Sequence, residues 1–392
     1  MFAEAVAERG STAPAAATHA YDNITVLGGG ADARLLAALC LAAGKQVQLF
    51  SAYGAELDAL RSSGGITLRG HGPIGTFSID QSSGPSIQTT AQLDHAVADA
   101  DLIILTGPVH KQRTYAMVLA DHLADGQTLL IAPARTFGAL ETAWHLQLGG
   151  CVANVSVIEM LAMPHAVTQQ ERVLNLSSAQ TVSAAIACGI PAQVQALGQL
   201  FGDVNLAPNS LFASFADASG LIEVPALLLG GPACLNGQPA IADGGVALAE
   251  NNTYRNLLGD QHLNVIEALA AERRDVAARF GVRDLPSTDR WLDEFAGMPD
   301  GPGSRVVPDS THATAMIRCA VIGSLAPLLS AARVADVAVP QTRAMVTLAS
   351  AALGSDLLTA GRKLETLGID TDSLETARRS LETRMQGETR GR

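Results

Sequence analysis

Over the first half of the chain, short apolar runs alternate with longer segments of helical spacing. Ile24-Thr25-Val26-Leu27 reads as a short buried strand, Gly28-Gly29-Gly30 as a turn, and 31–43 as a helix apolar on most faces. Gly44 closes that helix and 46–50 forms the next strand. A helix over 55–61 leads into 65–70 and 75–79, which read as a small antiparallel excursion. The alternation resumes with a strand at 102–105, a helix over 110–123, a strand at 127–132, a helix over 139–148 and a strand at 152–158. This order predicts an α/β, Rossmann-type doubly wound parallel sheet. Beyond about residue 192 the strands stop. Long Ala/Leu-rich segments (257–280, 313–335, 343–353) are separated by Gly/Pro breaks such as 298–303 and predict an all-α domain. The expected division is a loose tail over 1–19, a Rossmann domain over 20–190 and a helical substrate or dimerisation domain over 191–392.

The first turn carries the clearest chemistry. Gly28-Gly29-Gly30-Ala31-Asp32-Ala33 has the GxGxxA spacing, follows a strand and opens a helix. In that context Gly28 makes the tight turn, Gly30 lets backbone approach a diphosphate, Ala33 allows close helix–sheet contact and the helix N-terminus receives the charge, with Gly29 and Ala31 as further cofactor contacts. NAD-binding versions place Asp or Glu at the end of the second strand. Here Phe50-Ser51-Ala52-Tyr53 has no acid until Glu56. Ser51 removes a repulsion against a 2′-phosphate, and Lys45 or Arg61 is placed to neutralise one, so the sequence leans towards NADP over NAD. Thr106-Gly107-Pro108 follows the next main strand, and His110 and Lys111 open its helix as candidate phosphate or carboxylate contacts.

Composition narrows the partners. Of 392 residues 48% are hydrophobic, 16% charged and only 4% aromatic, which predicts an aliphatic, helix-leaning core. The net charge of −12 and the lack of a basic patch argue against nucleic acid. No uninterrupted apolar run approaches the ~18 residues of a membrane span. The richest stretch, 316–339, is broken by Arg318, Arg333 and Asp336 and reads as buried helix. Five scattered cysteines (Cys40, Cys151, Cys188, Cys234, Cys319) form no CxxC pair and suit a reducing cytosol. The first 19 residues lack the pattern of a secretory signal. A cytoplasmic protein is expected, as a homodimer through its Ala-rich helices. His71, His95, His122, His145 and His262 have no metal-ligand spacing, so no metal is expected.

Several segments, in shared order from Ile24 to Ile369, resemble the opine dehydrogenase family. Residues 100–108 followed by 123–128 look like its strand-helix-strand unit. Ala132-Pro133-Ala134-Arg135-Thr136-Phe137-Gly138-Ala139-Leu140-Glu141 is similar to its NPGRTGGALE-type segment. Glu159 with Met163-Pro164-His165, the helix 271–281, Val337-Ala338-Val339-Pro340 and Gly361-Arg362-Lys363-Leu364-Glu365 match further elements. The resemblance implies NAD(P)H-dependent reduction of an imine formed from an α-keto acid and an amino acid or amine, with substrate between the two domains. It also implies a His/Asp acid–base pair, the His just before a proline that opens the helical domain. If Pro225 is that proline, the His position holds Val224 and the Asn position Gly220; the Asp position falls near Ala320. The pair is therefore absent in register.

Other residues must then serve. His312, in Asp309-Ser310-Thr311-His312, has a side chain suited to acid–base work. Glu223 is an acid beside Pro225, and His165 replaces a family Tyr. Arg135 suits a bidentate carboxylate grip, or else pairs with Glu141 or Glu159. Tyr254 and Arg255, in the polar run 251–255, are further substrate candidates. Two competing functions are a ketopantoate-reductase-like reduction of a 2-keto acid or ketone, and a non-catalytic NAD(P)-binding protein.

Overall fold

The computed structural model describes residues 20–170, 173–177, 179–230, 253–297, 305–308 and 310–386. The expected tail 1–19, Cys234, Asn251, Asn252, the 298–303 break and Asp309 lie outside them. Twelve strands form two sheets among the described residues: β1 (Asn23–Leu27), β2 (Gln46–Phe50), β3 (Gly65–Gly70), β4 (Gly75–Ser78), β5 (Ile87–Thr90), β6 (Leu102–Leu105), β7 (Thr128–Ile131), β8 (Ser156–Met160), β9 (Val167–Gln170), β10 (Val173–Leu176), β11 (Val182–Cys188) and β12 (Val204–Leu206).

The main sheet runs β12-β11-β8-β7-β6-β1-β2-β5. From β5 to β8 every pairing is parallel, and the strand order reverses at β1. That is the 3-2-1-4-5-6 order of a dinucleotide-binding fold, whose ligand crevice opens where the order reverses. Strands buried on both faces need continuous apolar runs, and Leu102-Ile103-Ile104-Leu105 and Thr128-Leu129-Leu130-Ile131 are buried throughout. The flanking helices are α1 (Ala31–Ala42), α2 (Gly54–Ser63), α3 (Leu93–Val97), α4 (Val109–Leu119), α5 (Gly138–Leu148) and α6 (Pro191–Phe201).

The division expected at residue 190 falls inside this sheet. β11 returns antiparallel to β8, and β12 pairs with β11 beyond α6. The β3–β4 excursion is present as an antiparallel hairpin, but it is half of a second sheet, β4-β3-β10-β9. β9 and β10 are short and alternate weakly, so their pattern carried little signal.

The helical half comprises α7 (Ser210–Ala216), α8 (Ser219–Leu229), α9 (Tyr254–Leu257), α10 (Asp260–Arg279), α11 (Thr288–Ala296), α12 (Ser310–Ala320), α13 (Ala326–Ala335), α14 (Pro340–Ala352), α15 (Leu357–Ala360) and α16 (Leu374–Gln386). One apolar cluster runs from Leu105, Ile131 and Phe137 of the sheet half into Phe215, Ile317 and Leu328 of the helices, so the halves share a core. Residues 210–229 and 312–335 are long and apolar enough to cross a membrane, yet 78% and 72% of these windows are buried inside the molecule. Packing accounts for their hydropathy.

The helix expected over 313–335 is interrupted by a π-helical turn, Val321–Leu325. Pro327 has no N–H for the ladder. Donors from elsewhere fill the gap: the Arg362 N–H donates to the Ile322 carbonyl at 2.9 Å, and Arg273 Nη2 to that of Ser324 at 3.1 Å. π-turns of this kind recur at functional sites, and this one faces the junction between the two halves.

Candidate active site

The glycine turn sits at the C-terminal end of β1, where the strand order reverses. Gly28 has φ 135°, and a Cβ there would lie 2.7 Å from Thr106 Oγ1, so both conformation and space call for glycine. A Cβ on Gly29 would collide with the Glu56 carboxylate. Gly30 is exposed with open space around it, and as N-cap it supplies no side-chain hydrogen bond to α1. Ala31 begins α1. Uncapped helix N–H groups beside an open glycine cradle fit a diphosphate. Gly107 (φ 94°) and Pro108, the N-cap of α4, form the adjoining loop, with His110 exposed in the first turn. Burial first, then Lys111, Arg113 and Arg318, lower the His110 pKa.

The residues behind the NADP lean have other partners here. Ser51 Oγ donates to Glu56 Oε2 at 2.6 Å, so α2 returns a carboxylate to the end of β2 that the strand itself lacks. The expected cations are engaged elsewhere. Arg61 Nε is 2.9 Å from Asp80 Oδ2, and Lys45 Nζ is 2.9 Å from Asp22 Oδ1, beside the N-terminal end of β1.

On the other side of the turn the two halves meet in a charged cluster. Glu223 of α8 is fully buried. Its Oε2 accepts from Arg135 Nη1 at 3.4 Å, and its Oε1 lies 3.1 Å from Arg305 Nη2. The second contact is an ion pair without hydrogen-bond alignment, and Oε1 accepts no hydrogen bond among the described residues. Arg135 leaves the end of β7 and packs on Gly323 of the π-turn, where a Cβ would lie 2.8 Å from its Cδ. The next residue fixes its backbone: the Thr136 N–H and Oγ1 both donate to Asp217 Oδ2 at 3.0 Å. Burial works against the Asp217 carboxylate, but Arg273 and Arg135 outweigh it and lower its pKa. Arg305 lies over the Phe295 ring (4.3 Å to its centroid) and that of Tyr254 (5.8 Å).

Asp32 lies half-buried in the first turn of α1. Burial raises its pKa against the pull of Arg305 and Arg135, and Glu223 adds to the rise. Cys319 of α12 is half-buried, and burial chiefly raises its pKa.

Of the sequence candidates, the structure brings Glu223 and Arg135 together and places Tyr254 beneath Arg305. Arg135 thus pairs with neither Glu141 nor Glu159. Others are committed elsewhere. Arg255 donates to the Gly297 carbonyl at 2.7 Å and pairs with Asp293, tethering α11. His165 is buried in the small sheet, with Nδ1 2.8 Å from the Ser177 carbonyl and its ring against Gly72. His312 is exposed in the first turn of α12, seven residues or about 10 Å along the helix from Cys319. Val224 and Ala320, near which the resemblance would put the His and Asp, are fully buried. Sequence reasoning passed over Arg305, Asp32 and the reach of Glu56. Asp32 did leave a signal, being an acid inside a motif that receives phosphate. Arg305 left none.

No protein-family model matches the chain. The opine dehydrogenase of Arthrobacter sp. (strain 1C) is 23% identical over 363 residues, 88% of this chain and 94% of that protein. Octopine dehydrogenase in complex with NADH and agmatine superposes with a TM-score of 0.65 at 17% identity, over 90% of this chain and 97% of that one. Yersinopine dehydrogenase with NADP+ bound gives 0.60 at 15% identity, over 93% and 98%. Along most of its sequence, and in the fold of both halves, the chain is opine-dehydrogenase-like.

Proposed function

We propose that this protein reduces the imine formed between an α-keto acid and the amino group of an amino acid or amine, giving a secondary amine. It is an NAD(P)-dependent oxidoreductase, a class supported by its likeness to dehydrogenases and by the built glycine turn. When bound, the dinucleotide supplies the hydride. Gly28 to Ala31, with the Gly107-Pro108 loop, are the residues that would hold it.

The observation that carries the substrate reading is Glu223, buried between Arg135 and Arg305, whose Oε1 accepts no hydrogen bond among the described residues. One anion between two cations matches a substrate with one nitrogen and carboxylates on either side. Glu223 holds the N–H of the amine, and the guanidiniums hold and orient the carboxylates. Fixing both partners lowers the entropy cost of joining them. The test is consumption of NADH or NADPH with keto acids, with and without amines. Amine-dependent oxidation is expected. Turnover without amine would favour simple keto-acid reduction, and tight binding with no turnover across the panel would refute an enzyme.

Glu56 favours NADH. Its carboxylate at the end of β2 suits ribose hydroxyls and repels a 2′-phosphate. Glu56→Gln keeps the shape and removes the charge. The ratio of kcat/KM for NADPH to that for NADH is expected to rise on the order of tenfold or more. An unchanged ratio would show that Glu56 does not set the preference.

A further inference from the structure

We propose that Phe295 is the positioning residue for Arg305, its ring covering one face of the guanidinium so that the N–H edge stays free for a substrate carboxylate. This rests on the substrate reading above. The ring itself has a fixed place. In α11 the residues Trp291, Leu292, Phe295 and Ala296 fall on one face, and all but Phe295 are fully or almost fully buried. Trp291 Nε1 donates to the Ala216 carbonyl at 3.0 Å, which fixes the helix against the end of α7. One turn on, Phe295 is half-buried and stands edge-to-face with the fully buried Tyr254, the ring centroids 5.3 Å apart and the planes at 80°. Arg255 fastens the same end of α11 through Gly297 and Asp293.

Arg305 is brought to this ring by its backbone. Its N–H donates to the carbonyl of Ala296, the neighbour of Phe295, at 3.3 Å, and its own carbonyl accepts from the Tyr254 N–H at 2.9 Å. The side chain is partly exposed, and an arginine with no packing partner samples many rotamers. Here the guanidinium carbon lies over the Phe295 ring at 4.3 Å from its centroid. A cation is attracted to a ring face, and guanidinium donors lie in the guanidinium plane, so covering a face spends none of them.

Those donors are also unspent towards protein. Nη2 lies 3.1 Å from Glu223 Oε1 without hydrogen-bond alignment, and no hydrogen bond among the described residues uses the Arg305 guanidinium. Arg135 differs on both counts. It packs on Gly323 and already donates to Glu223. Of the two guanidiniums, Arg305 is the one whose aim depends on an aromatic ring.

The test is calorimetric titration of the full-length protein, with and without NAD+, by iminodiacetate, a secondary amine with a carboxylate on either side. Wild type is expected to bind it. Phe295→Leu should weaken binding roughly 3- to 30-fold, the range of a cation–π contact. Phe295→Tyr keeps the ring face and should stay close to wild type. Phe295→Met fills similar space without a ring and should behave as Phe295→Leu does, which covers poor folding of the leucine variant. In an Arg305→Ala background Phe295→Leu should cause no further loss, because the ring then has nothing to hold. Unchanged affinity in Phe295→Leu overturns the proposal. So does an equal loss in both backgrounds, the mark of a merely structural ring. Wild type that does not bind iminodiacetate refutes the substrate reading, and the proposal with it.

Discussion

Replacing Arg362 by alanine is expected to destabilise the protein by roughly 3–5 kcal/mol, the usual cost of breaking a buried charge pair by removing one partner. Arg362 is fully buried. Its Nε donates to Glu141 Oε2 at 2.7 Å, Nη1 to the Thr136 carbonyl at 2.8 Å and Nη2 to Gln112 Oε1 at 3.2 Å. Glu141 lies in α5, Thr136 just before it and Gln112 in α4, so one helical-half side chain ties down three points of the sheet half. Burial opposes the Glu141 charge, but Arg362 and Arg113 outweigh it and lower its pKa. Alanine would leave Glu141 with Arg113 and the Thr366 hydroxyl and strip the Thr136 carbonyl of its donor. Lysine keeps the charge but cannot span three acceptors, so an intermediate loss is expected. Urea denaturation would read both as a lower midpoint at an unchanged slope. A change below about 1 kcal/mol for alanine would show that the junction does not depend on this residue.

The same contacts show why so much of the fold was legible in the sequence. The segments that carried the resemblance interlock in space. Arg362 of the Gly361–Glu365 element grips Glu141 at the end of the 132–141 element. Glu272, in the 271–281 element, accepts from the Gln341 and Thr342 N–H groups directly after Pro340, both at 2.8 Å. Its neighbour Arg273 reaches Thr136 Oγ1 at 3.2 Å and Ser324 Oγ at 2.8 Å. Buried charged residues need partners in defined geometry, so their spacing leaves a recognisable imprint on a chain.

The cofactor and substrate sites were less legible because they are assembled from single residues with no such spacing. Ser51 marks the strand end correctly, yet the carboxylate arrives from Glu56, five residues on, because α2 folds back over Gly29. Arg255 and Arg305 are equally polar in sequence, but Thr253 pairs with Val306 and the Tyr254 N–H donates to the Arg305 carbonyl. Arg305 thus reaches Glu223 while Arg255 anchors α11. Val224 and Ala320, near which the resemblance would put the His/Asp pair, pack as fully buried apolar residues of α8 and α12.

Glu223→Gln should separate the two substrates. A charge-assisted hydrogen bond contributes roughly 1.5–3 kcal/mol, so loss of the carboxylate is expected to raise the KM for the amine on the order of 10- to 100-fold. The keto acid should behave oppositely. Arg135 and Arg305 are then released from their internal anion, and both keep solvent contact, with 16% and 31% of their side chains exposed. Their grip on a substrate carboxylate should hold or tighten, leaving the KM for the keto acid unchanged or lower. Arg135→Ala should reverse the pattern, weakening the keto acid more than the amine. NADH affinity, read by fluorescence titration, should stay close to wild type in Glu223→Gln, because this side chain is not among those proposed to hold the dinucleotide. Equal loss for both substrates would instead mean that Glu223 supports the junction as a whole. An unchanged amine KM would remove it from the amine site.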